Sequence, residues 1–316
     1  MGERIECRLI APAKVNLGLS VGFETSSGRH PVETIMQTIS LADELRVRIE
    51  RDVADPGISI AMRNCTGVEC DYSQLPPERN LIYRAIVEFA RRIGAEPTSR
   101  FEIEVDKRIP AESGLGGGSS DCAAAIAMMA KLSELDLHGE VALGTARALG
   151  SDIAFFLDGG CALMGGFGEE LVETFETPAL DMVILRPRCG LSTGLVYREY
   201  DRISGADAAP SNLDPLASAL RAGASASQLA PLMANDLQAA ACAIEPDVSR
   251  TLDALALAPG VIRTMLSGSG SAVFAICDSA QSAEETARRA TAHGLFAVAA
   301  HSVQLGAAVG EMRAIS

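Results

Sequence analysis

The stretch Lys107-Arg-Ile-Pro-Ala-Glu-Ser-Gly-Leu-Gly-Gly-Gly-Ser-Ser-Asp121, KRIPAESGLGGGSSD, joins an unusual density of glycine to the start of an apolar segment. Four glycines lie within residues 114–118, and the run AAAIAMMA follows at 123–130. This run predicts a helix over about residues 119–134, with the glycines directly before its N-terminus. Because backbone N–H groups converge there and the helix dipole adds positive potential, the stretch predicts a phosphate-binding loop. The alternative, a tight turn, needs only one or two such glycines.

The commonest phosphate loops do not match this stretch. A P-loop needs Gly-Lys followed by Ser or Thr, and no Gly-Lys dipeptide occurs in the chain. A dinucleotide-binding fingerprint needs a third glycine where Ser119 stands. Protein kinases carry His-Arg-Asp and Asp-Phe-Gly motifs, and neither is present. The loop therefore indicates phosphate binding of another class.

Composition narrows the classes of function. The 316 residues are 48% hydrophobic, enough for one large or two ordinary domains, and the net charge of −14 argues against nucleic acid as a partner. No run of eighteen apolar residues occurs and Glu3 and Glu6 interrupt the start, so we expect neither a membrane span nor a signal peptide. Eight scattered cysteines without a CxxC pair predict reduced thiols, a cytoplasmic protein and no structural metal site.

Strand and helix signals mix along the chain without regular alternation, which predicts an α+β fold rather than a doubly wound sheet. In the first half we expect two strands within residues 4–21, broken by Pro12, further strands at 34–40, 43–51 and 101–105, an irregular stretch at 55–77 and helices at 80–93 and 139–149. In the second half we expect strands at 182–186, 261–266 and 272–277 and helices at 192–200, 214–222, 226–235, 247–256 and 280–292. A domain boundary is expected near residues 160–170.

Four segments together resemble the GHMP small-molecule kinases. Pro110-x-x-x-Gly114-Leu-Gly-Gly-Gly-Ser-Ser120 resembles the phosphate loop of that family, and the others are Pro12-Ala-Lys-Val-Asn-Leu17, Gly150-Ser-Asp-Ile-Ala-Phe155 and Leu266-Ser-Gly-Ser-Gly-Ser-Ala-Val-Phe274. They keep the family's order and span most of the chain. The resemblance implies an N-terminal ATP-binding domain at 1–165, similar to ribosomal protein S5 domain 2, to which a tail at 303–316 can return. It also implies a C-terminal ferredoxin-like α/β plait at 166–302.

The resemblance also implies a reaction, the transfer of a phosphoryl group from ATP to an alcohol. Asp152 would be the general base and Lys14 its electrostatic partner, which fits the demands of phosphoryl transfer. Mg²⁺ is expected with ATP, held largely by phosphates and water, because no carboxylate pair indicates a ligand set. The expected ATP-binding residues are Asn80, Lys107, Pro110, Gly114, Leu115, Gly116, Gly117, Gly118, Ser119 and Ser120.

The residues alone leave plainer interpretations open for three of these positions. Lys14 could be an edge-strand lysine that prevents aggregation. Asp152 could cap a helix or a turn, and Asn80 could serve only as the N-cap of the helix that follows it. For Asp152, a charge between a helix end and an apolar segment already favours a functional role. The resemblance then favours the catalytic roles of both Lys14 and Asp152 over the structural ones.

For the acceptor, the resemblance is nearest to family members that phosphorylate a cytidine-diphosphate-linked methylerythritol in non-mevalonate isoprenoid synthesis. Their turn before the third strand usually reads Gly-Tyr-His, where Tyr stacks on cytosine and His bonds to its edge. Here the turn reads Gly28-Arg-His30, and Met36 stands where a second aromatic is common. A planar guanidinium can also stack on a base. The expected acceptor-binding residues are Asn16, Arg29, His30, Thr193, Tyr197, Gly268 and Ser269.

Two other functions remain open at this point. The departures at Arg29 and Met36 allow a GHMP kinase that acts on a different alcohol or nucleotide-linked polyol. A non-catalytic nucleotide-binding module is the second alternative, and the presence of both Lys14 and Asp152 argues against it. The expected partner is a small molecule, with no nucleic acid and no membrane, and the protein is expected to be a monomer or homodimer.

Overall fold

Two sheets with helices packed on them form the fold of the chain, whose computed structural model describes residues 3–26, 28–68, 70, 72, 76–95, 98–204 and 209–315. The first sheet has the order β12-β1-β2-β4-β3, with β13 and β8 also pairing with β1 and a β5–β6 hairpin pairing with β2. Its strands are β1 (Arg4–Val21), β2 (Val32–Glu50), β3 (Gly57–Asn64), β4 (Arg100–Lys107), β5 (Cys161–Gly165), β6 (Glu170–Phe175), β8 (Ala234–Asn235), β12 (Ala308–Val309) and β13 (Arg313–Ile315). The second sheet has the order β11-β7-β10-β9, from β7 (Asp181–Arg186), β9 (Val261–Leu266), β10 (Val273–Cys277) and β11 (Phe296–His301). The predicted α+β class is confirmed.

A long antiparallel ribbon of β1 and β2 forms the middle of the first sheet. The predicted break at Pro12 is wrong, because β1 runs through it with a register shift between Pro12 and Ala13. The bulge at this point lets the strand accommodate proline, which has no backbone N–H to donate to the neighbouring strand. The two strands expected at 34–40 and 43–51 likewise form one strand, β2.

Strand β3 was not predicted, since its surroundings are polar and irregular. It is an edge strand that pairs in parallel with β4. Its apolar residues alternate, and Ile58, Ile60 and Met62 pack on the core while their neighbours face outward. This short period-2 alternation of apolar residues is the sequence signal for the strand.

Helices α1 (Leu81–Arg92), α2 (Gly117–Leu132), α3 (Glu140–Leu149) and α4 (Ile153–Asp158) pack together against the first sheet. Helix α2 is the central one, and every residue from 120 to 130 is buried. Alanine allows this, because its small side chain lets neighbouring helices and the sheet approach on all sides. The sequence AAAIAMMA therefore marks a helix enclosed by the fold, which holds the glycine loop on a rigid support.

The second sheet has helices on one face and the first sheet on the other. The helices of this part of the chain are α5 (Thr193–Ser204), α6 (Asp214–Arg221), α7 (Ala226–Leu229), α8 (Gln238–Ile244), α9 (Pro246–Ala256) and α10 (Ala280–Ala292). On one face of the sheet, alternate residues of β7 and β10 pack against α5, α8, α9 and α10. On the other face, β7 and β10 share a core with β1 and α6, formed by Met182, Ile184, Phe274, Ile276, Val15 and Leu17 among others. The helix predicted at 226–235 ends early, at Leu229, because Pro231 cannot continue it.

The C-terminal tail returns to the first sheet, where β12 and β13 pair antiparallel with β1. The domain limits at 165/166 and 302/303 stay a prediction. Within the described part of the chain, no helix combines the length and the apolar character needed to cross a membrane.

Candidate active site

Lys14 and Asp152 lie beside each other in the fold. Alternation along β1 directs Val15 and Leu17 into the core between the sheets, so Lys14 and Asn16 face the opposite side. The backbone N–H of Lys14 donates to the carbonyl of Leu115 at 2.9 Å, which fastens β1 to the glycine loop. Asp152 lies after the end of α3 and directly before α4. The fold thus brings together two residues that the sequence places far apart.

The surroundings of Lys14 hold its ammonium in one place. Its Nζ lies 3.6 Å from Asp152 Oδ2 and donates to Asn16 Oδ1 at 2.7 Å. Asn16 donates in turn to Thr34 Oγ1, and Thr34 donates to the carbonyl of Gly18. Burial lowers the pKa of Lys14, and the neighbouring Asp152 carboxylate opposes this by favouring the charged form. The Lys14 Nζ is thus held beside a carboxylate, at a position that is itself almost closed to solvent.

A cavity of about 370 Å³, which we call the Lys14 cavity, opens in front of this pair. Asp152 keeps 29% of its side chain exposed there, whereas Lys14 keeps 4%. Predicted residues that line the cavity are Lys14, Asn16, Gly114, Gly116, Ser119, Asp152, Thr193, Tyr197, Gly268 and Ser269. The carboxylate is therefore the accessible member of the pair, as a group that exchanges a proton with a substrate must be.

The glycine loop and the first turn of α2 line a second cavity of about 380 Å³, the loop cavity. Ser120 N–H makes the first bond of the helix, to the carbonyl of Gly116, so the N–H groups of residues 117–119 precede the ladder. Gly117, Gly118 and Ser119 line the cavity at this point. Free amides and the positive end of the helix dipole make this wall suitable for an anion.

Two glycines of this loop are required by close packing, Gly114 against the C-terminal glycine motif and Gly116 against Phe156 of α4. Gly114 and Gly116 both have φ of +75°, where L side chains are strained. A Cβ on Gly114 would lie 2.1 Å from the carbonyl oxygen of Ser267, and Ser267 Oγ donates to the Gly114 carbonyl at 3.0 Å. A Cβ on Gly116 would lie 2.6 Å from the Phe156 ring. Gly114 therefore lets the two loops pack directly on each other, and Gly116 lets the glycine loop pack on α4.

Gly114→Ala is expected to lower the free energy of unfolding by at least about 2 kcal/mol, from left-handed strain and overpacking together. Thermal unfolding of the purified variant measures this. Gly94→Ala is the matched control, because Gly94 has φ of +64° but open space around its Cβ position. It should show the strain of about 1 kcal/mol alone. Equal losses in the two variants would contradict the proposed packing role of Gly114.

Lys107 lines the loop cavity, yet its ammonium is already bound by carboxylates of the protein. It donates to Asp43 and, at 2.5 Å, to Asp121 Oδ2, and all three side chains are buried. Asp43 also accepts from the backbone N–H of Ile109 at 2.8 Å. Burial lowers the pKa of Lys107, but the Asp121 and Asp43 carboxylates outweigh it and raise that pKa, while burial raises the pKa of Asp121. The cluster ties β2, β4 and α2 together beneath the glycine loop.

Lys107→Met is expected to lower the free energy of unfolding by about 3–5 kcal/mol, because it leaves two carboxylates buried without their cation. Urea denaturation followed by circular dichroism measures the loss. The double variant Lys107→Met with Asp121→Asn should recover part of it, since one buried charge is removed. A loss below about 1 kcal/mol in the single variant would contradict a structural role for this cluster.

The remaining predicted ATP-binding residues differ in position. Asn80 and Pro110 line the loop cavity, and Asn80 also caps α1 by accepting from the N–H of Ile82. The N-cap role of Asn80 is confirmed, and its contact with ATP stays a prediction. Leu115 and Ser120 are fully buried and line neither cavity. The Leu115 side chain belongs to the core between the sheets, and only its backbone takes part, through the bond to Lys14.

Arg29 and His30 are not among the residues that line the Lys14 cavity. The guanidinium carbon of Arg29 lies 3.9 Å from the centroid of the Phe167 ring. His30 Nδ1 donates to the carbonyl of Gly22 at 2.9 Å, and its Nε2 lies 3.3 Å from Asp201 Oδ1. The His30 ring contacts Tyr197, with centroids 5.3 Å apart.

Sequence reasoning missed several residues that line the cavities. Phe167, Thr34 and Ser151 line the Lys14 cavity, and Met62, Tyr72 and Leu81 line the loop cavity. Met36, noted only as a departure, lines the Lys14 cavity as well. The motif Gly165-Gly-Phe-Gly168 is the one signal that could have indicated Phe167, because an aromatic between glycines in a tight turn is held away from the core.

Comparison with known families identifies both halves of the chain. Residues 80–160 match the family described as GHMP kinases N terminal domain, and residues 216–294 match GHMP kinases C terminal. A Nocardia farcinica protein named 4-diphosphocytidyl-2-C-methyl-D-erythritol kinase is 37% identical over 90% of this chain and 89% of its own. A Mycobacterium tuberculosis protein of the same name is 36% identical over 90% of this chain and 86% of its own.

Solved structures agree with this assignment. A crystal structure of 4-(cytidine 5'-diphospho)-2C-methyl-D-erythritol kinase superposes with a TM-score of 0.70 at 31% identity, covering 93% of this chain and 98% of that one. Homoserine kinase from Cytophaga hutchinsonii has a TM-score of 0.69 at 20% identity, over 96% and 97%, which indicates a shared fold only. With the glycine loop, the C-terminal glycine motif and the Lys14–Asp152 pair in one site, this chain belongs to the GHMP kinase family.

Proposed function

We propose that this protein transfers the γ-phosphoryl group of ATP to a hydroxyl of 4-diphosphocytidyl-2-C-methyl-D-erythritol, with Asp152 as general base and Lys14 as electrostatic partner. The observation that carries the proposal is the junction of the two cavities. Gly114, Gly116 and Ser119 line both of them, and the Lys14–Asp152 pair lies in the second. A donor phosphate at the glycine loop and an acceptor in the Lys14 cavity would therefore meet beside the pair.

The loop cavity fits ATP. Its apolar lining from Met62, Leu81 and Ile109 suits a purine, and the amides at the N-terminus of α2 suit its phosphates. Gly118 lies in the wall with its nearest neighbour 3.6 Å from a Cβ position, so the backbone there is open to a ligand. Lys107 would act on this site indirectly, by holding α2 through Asp121.

Mg²⁺ would accompany the nucleotide. Over the described ranges, no group of three or more His, Cys, Asp or Glu side chains could hold a metal ion. The buried Asp121 is already bound to Lys107. Phosphate oxygens and water would supply most of the ligands, and the Ser119 residue lines the loop cavity beside them. When bound, the ion would neutralise phosphate charge during transfer.

Asp152 and Lys14 have different roles in this reaction. The acceptor hydroxyl donates a hydrogen bond to the Asp152 carboxylate, which orients the oxygen toward the γ-phosphate. As the new P–O bond forms, the carboxylate takes the hydroxyl proton, the bond from the γ-phosphorus to the bridging oxygen breaks, and ADP leaves. The Lys14 ammonium, fixed by Asn16, stabilises the negative charge that collects between donor and acceptor. Because the cation is already in place, no reorganisation of the site is needed during the reaction.

Turnover measured over a small panel of acceptors tests the substrate. We expect ADP release with 4-diphosphocytidyl-2-C-methyl-D-erythritol and at least about a hundredfold lower kcat/KM with mevalonate or homoserine, which lack the cytidyl group. The Arg29 and Met36 departures support the alternative of a GHMP kinase for a different nucleotide-linked polyol. Turnover of such an alcohol without turnover of the cytidyl compound would replace the proposed substrate.

We also propose that the protein acts in the cytoplasm. All eight cysteines are free thiols, and burial raises the pKa of Cys122 and Cys161 to about 12, so neither is a reactive thiolate. Free thiols support a cytoplasmic location. A monomer or homodimer, with a small molecule as the only partner, stays a prediction that light scattering of the purified protein tests.

A further inference from the structure

A short series of hydrogen bonds, which we call the Lys14 network, lies behind the Lys14 ammonium. Lys14 Nζ donates to Asn16 Oδ1 at 2.7 Å, and Asn16 Nδ2 donates to Thr34 Oγ1 at 2.8 Å. Thr34 Oγ1 donates in turn to the carbonyl of Gly18 at 2.7 Å. The side chains of Lys14, Asn16 and Thr34 are all buried. Because buried polar groups need partners within the protein, each of these bonds depends on the next.

The direction of the Lys14 network is set at its far end. The Gly18 carbonyl can only accept, so the Thr34 hydroxyl gives it its one hydrogen and offers only lone pairs to Asn16. Asn16 therefore turns its amide nitrogen toward Thr34, which leaves its amide oxygen facing Lys14. An amide oxygen stabilises an ammonium, whereas an amide nitrogen would disfavour its charge. The Thr34 hydroxyl thus decides which polar atom of Asn16 the cation meets.

A β-bulge between β1 and β2 brings Thr34 beside Gly18. The register shifts between Asn16 and Gly18, so that Gly18 lies opposite Ile35 and Leu19 lies opposite Thr34. Bulges interrupt the regular ladder and re-aim the side chains around them. The Thr34 hydroxyl bonds to a backbone carbonyl at this irregularity, which supplies the fixed end of the network.

The Lys14 ammonium is held from two sides. The Asp152 carboxylate lies 3.6 Å away on the cavity side, and Asn16 Oδ1 holds the ammonium from within the protein. A Cβ on Gly268 would lie 3.4 Å from both Lys14 Nζ and Asn16 Oδ1, so the C-terminal glycine motif packs over this bond. The titratable residues that line the Lys14 cavity are Lys14, Asp152 and Tyr197. The direction of the Asn16 amide therefore affects both where the ammonium lies and how readily it keeps its proton.

We propose that Thr34 is a positioning residue for Lys14, acting through the Asn16 amide, whose direction the Thr34 hydroxyl fixes. The proposal rests on the proposed function for the catalytic role of Lys14, but not for the geometry. Thr34 also lines the Lys14 cavity, so a direct contact of its hydroxyl with the acceptor is the alternative. The two roles differ in what they change, the state of Lys14 in the first case and the binding of the acceptor in the second.

A titration of Lys14 by NMR tests the positioning role without any substrate. The chain has three lysines, Lys14, Lys107 and Lys131, so protein labelled with carbon-13 at the lysine ε position gives three signals. Lys14→Met and Lys131→Met assign them. We expect Thr34→Val to move the midpoint of the Lys14 titration to a pH lower by about half to one unit, because the ammonium loses its fixed acceptor. Thr34→Ser keeps the hydroxyl and should restore the wild-type midpoint.

Steady-state kinetics gives a second measurement on the same variants. We expect Thr34→Val to lower kcat by about tenfold and to leave the KM for ATP unchanged. The alkaline limb of the pH dependence of kcat should move to lower pH. The sign follows because an ammonium with a lower pKa loses its proton, and with it the stabilising charge, at a lower pH. Thr34→Ser should recover most of the loss in kcat.

Thr38→Val is the matched control. Thr38 is a buried residue of the same strand, and its hydroxyl accepts from the N–H of Gly160 and donates to the carbonyl of Val303. It lines neither cavity. Like Thr34→Val, this variant removes a buried hydroxyl with two partners and should lower Tm. It should leave the Lys14 titration and kcat at their wild-type values.

The possible results distinguish this proposal from the proposed function. A lower Lys14 midpoint in Thr34→Val, restored in Thr34→Ser, supports the positioning role even if the protein does not phosphorylate the cytidyl acceptor. A wild-type midpoint in Thr34→Val would overturn that role, whatever the protein phosphorylates. A wild-type midpoint with a higher acceptor KM would make Thr34 a substrate contact instead. Thr34→Ala, which also removes the hydroxyl, is measured in the same way if Thr34→Val does not fold.

Discussion

Asp152→Asn is expected to lower kcat by at least about a hundredfold, because an amide cannot accept the proton of the acceptor hydroxyl. The side chain keeps its size and remains partly exposed in the Lys14 cavity, so the KM values for ATP and acceptor should change little. Steady-state kinetics with coupled detection of ADP measures all three constants. A drop confined to kcat would indicate an interaction made in the transition state.

Asp158→Asn provides the control for that experiment. Asp158 ends the same short helix, α4, but does not line either cavity. Its removal changes the net charge by the same amount and should leave kcat at the wild-type value. If Asp152→Asn retained kcat within about threefold of wild type, Asp152 would not be the base.

Lys14→Met is expected to lower kcat by about a hundredfold to a thousandfold, the range found when one fixed charge-stabilising donor is removed. Methionine matches the length of the lysine stem and suits a buried position, which limits structural damage. The ammonium that lies 3.6 Å from Asp152 is what the change removes. Lys131→Met is the control, since Lys131 lies outside the site and donates to the carbonyl of Gly310.

The two residues are expected to act as one unit. In that case the double variant Lys14→Met with Asp152→Asn would be little slower than the slower single variant. If the kcat reductions of the two single variants multiplied in the double variant, the pairing would be contradicted, because independent groups would each contribute their own factor. A Lys14→Met enzyme with normal kcat would contradict the electrostatic role of Lys14.

Much of this site was predictable because its motifs are local. The glycine density at 114–118 indicates a phosphate loop before a helix, and the structure has Gly116 as the N-cap of α2. The proximity of Lys14 and Asp152 came from the family resemblance, because no spacing rule connects a strand at the start of the chain with a helix end far along it. Their contact depends on the bond between β1 and Leu115 and on the packing of α4 against α2.

Other features depend on tertiary contacts that a single sequence does not specify. The partners of Lys107 include Asp43 from a distant strand, so the sequence could not distinguish a phosphate-binding lysine from a buried one. The directions of Arg29 and His30 follow from where Phe167 and Tyr197 lie, on elements much later in the chain. The predicted strand break at Pro12 was wrong because a β-bulge accommodates the proline, and the local sequence pattern does not indicate a bulge.

A crystal structure of the protein with a non-hydrolysable ATP analogue and 4-diphosphocytidyl-2-C-methyl-D-erythritol tests the central claim most directly. We expect the analogue in the loop cavity and the acceptor in the Lys14 cavity. One acceptor hydroxyl should lie about 2.6–3.2 Å from the Asp152 carboxylate, with the terminal phosphate on the side of the hydroxyl oxygen that faces away from Asp152. The account would be contradicted if the acceptor were bound elsewhere. It would also be contradicted if no acceptor hydroxyl contacted Asp152 either directly or through one bridging water.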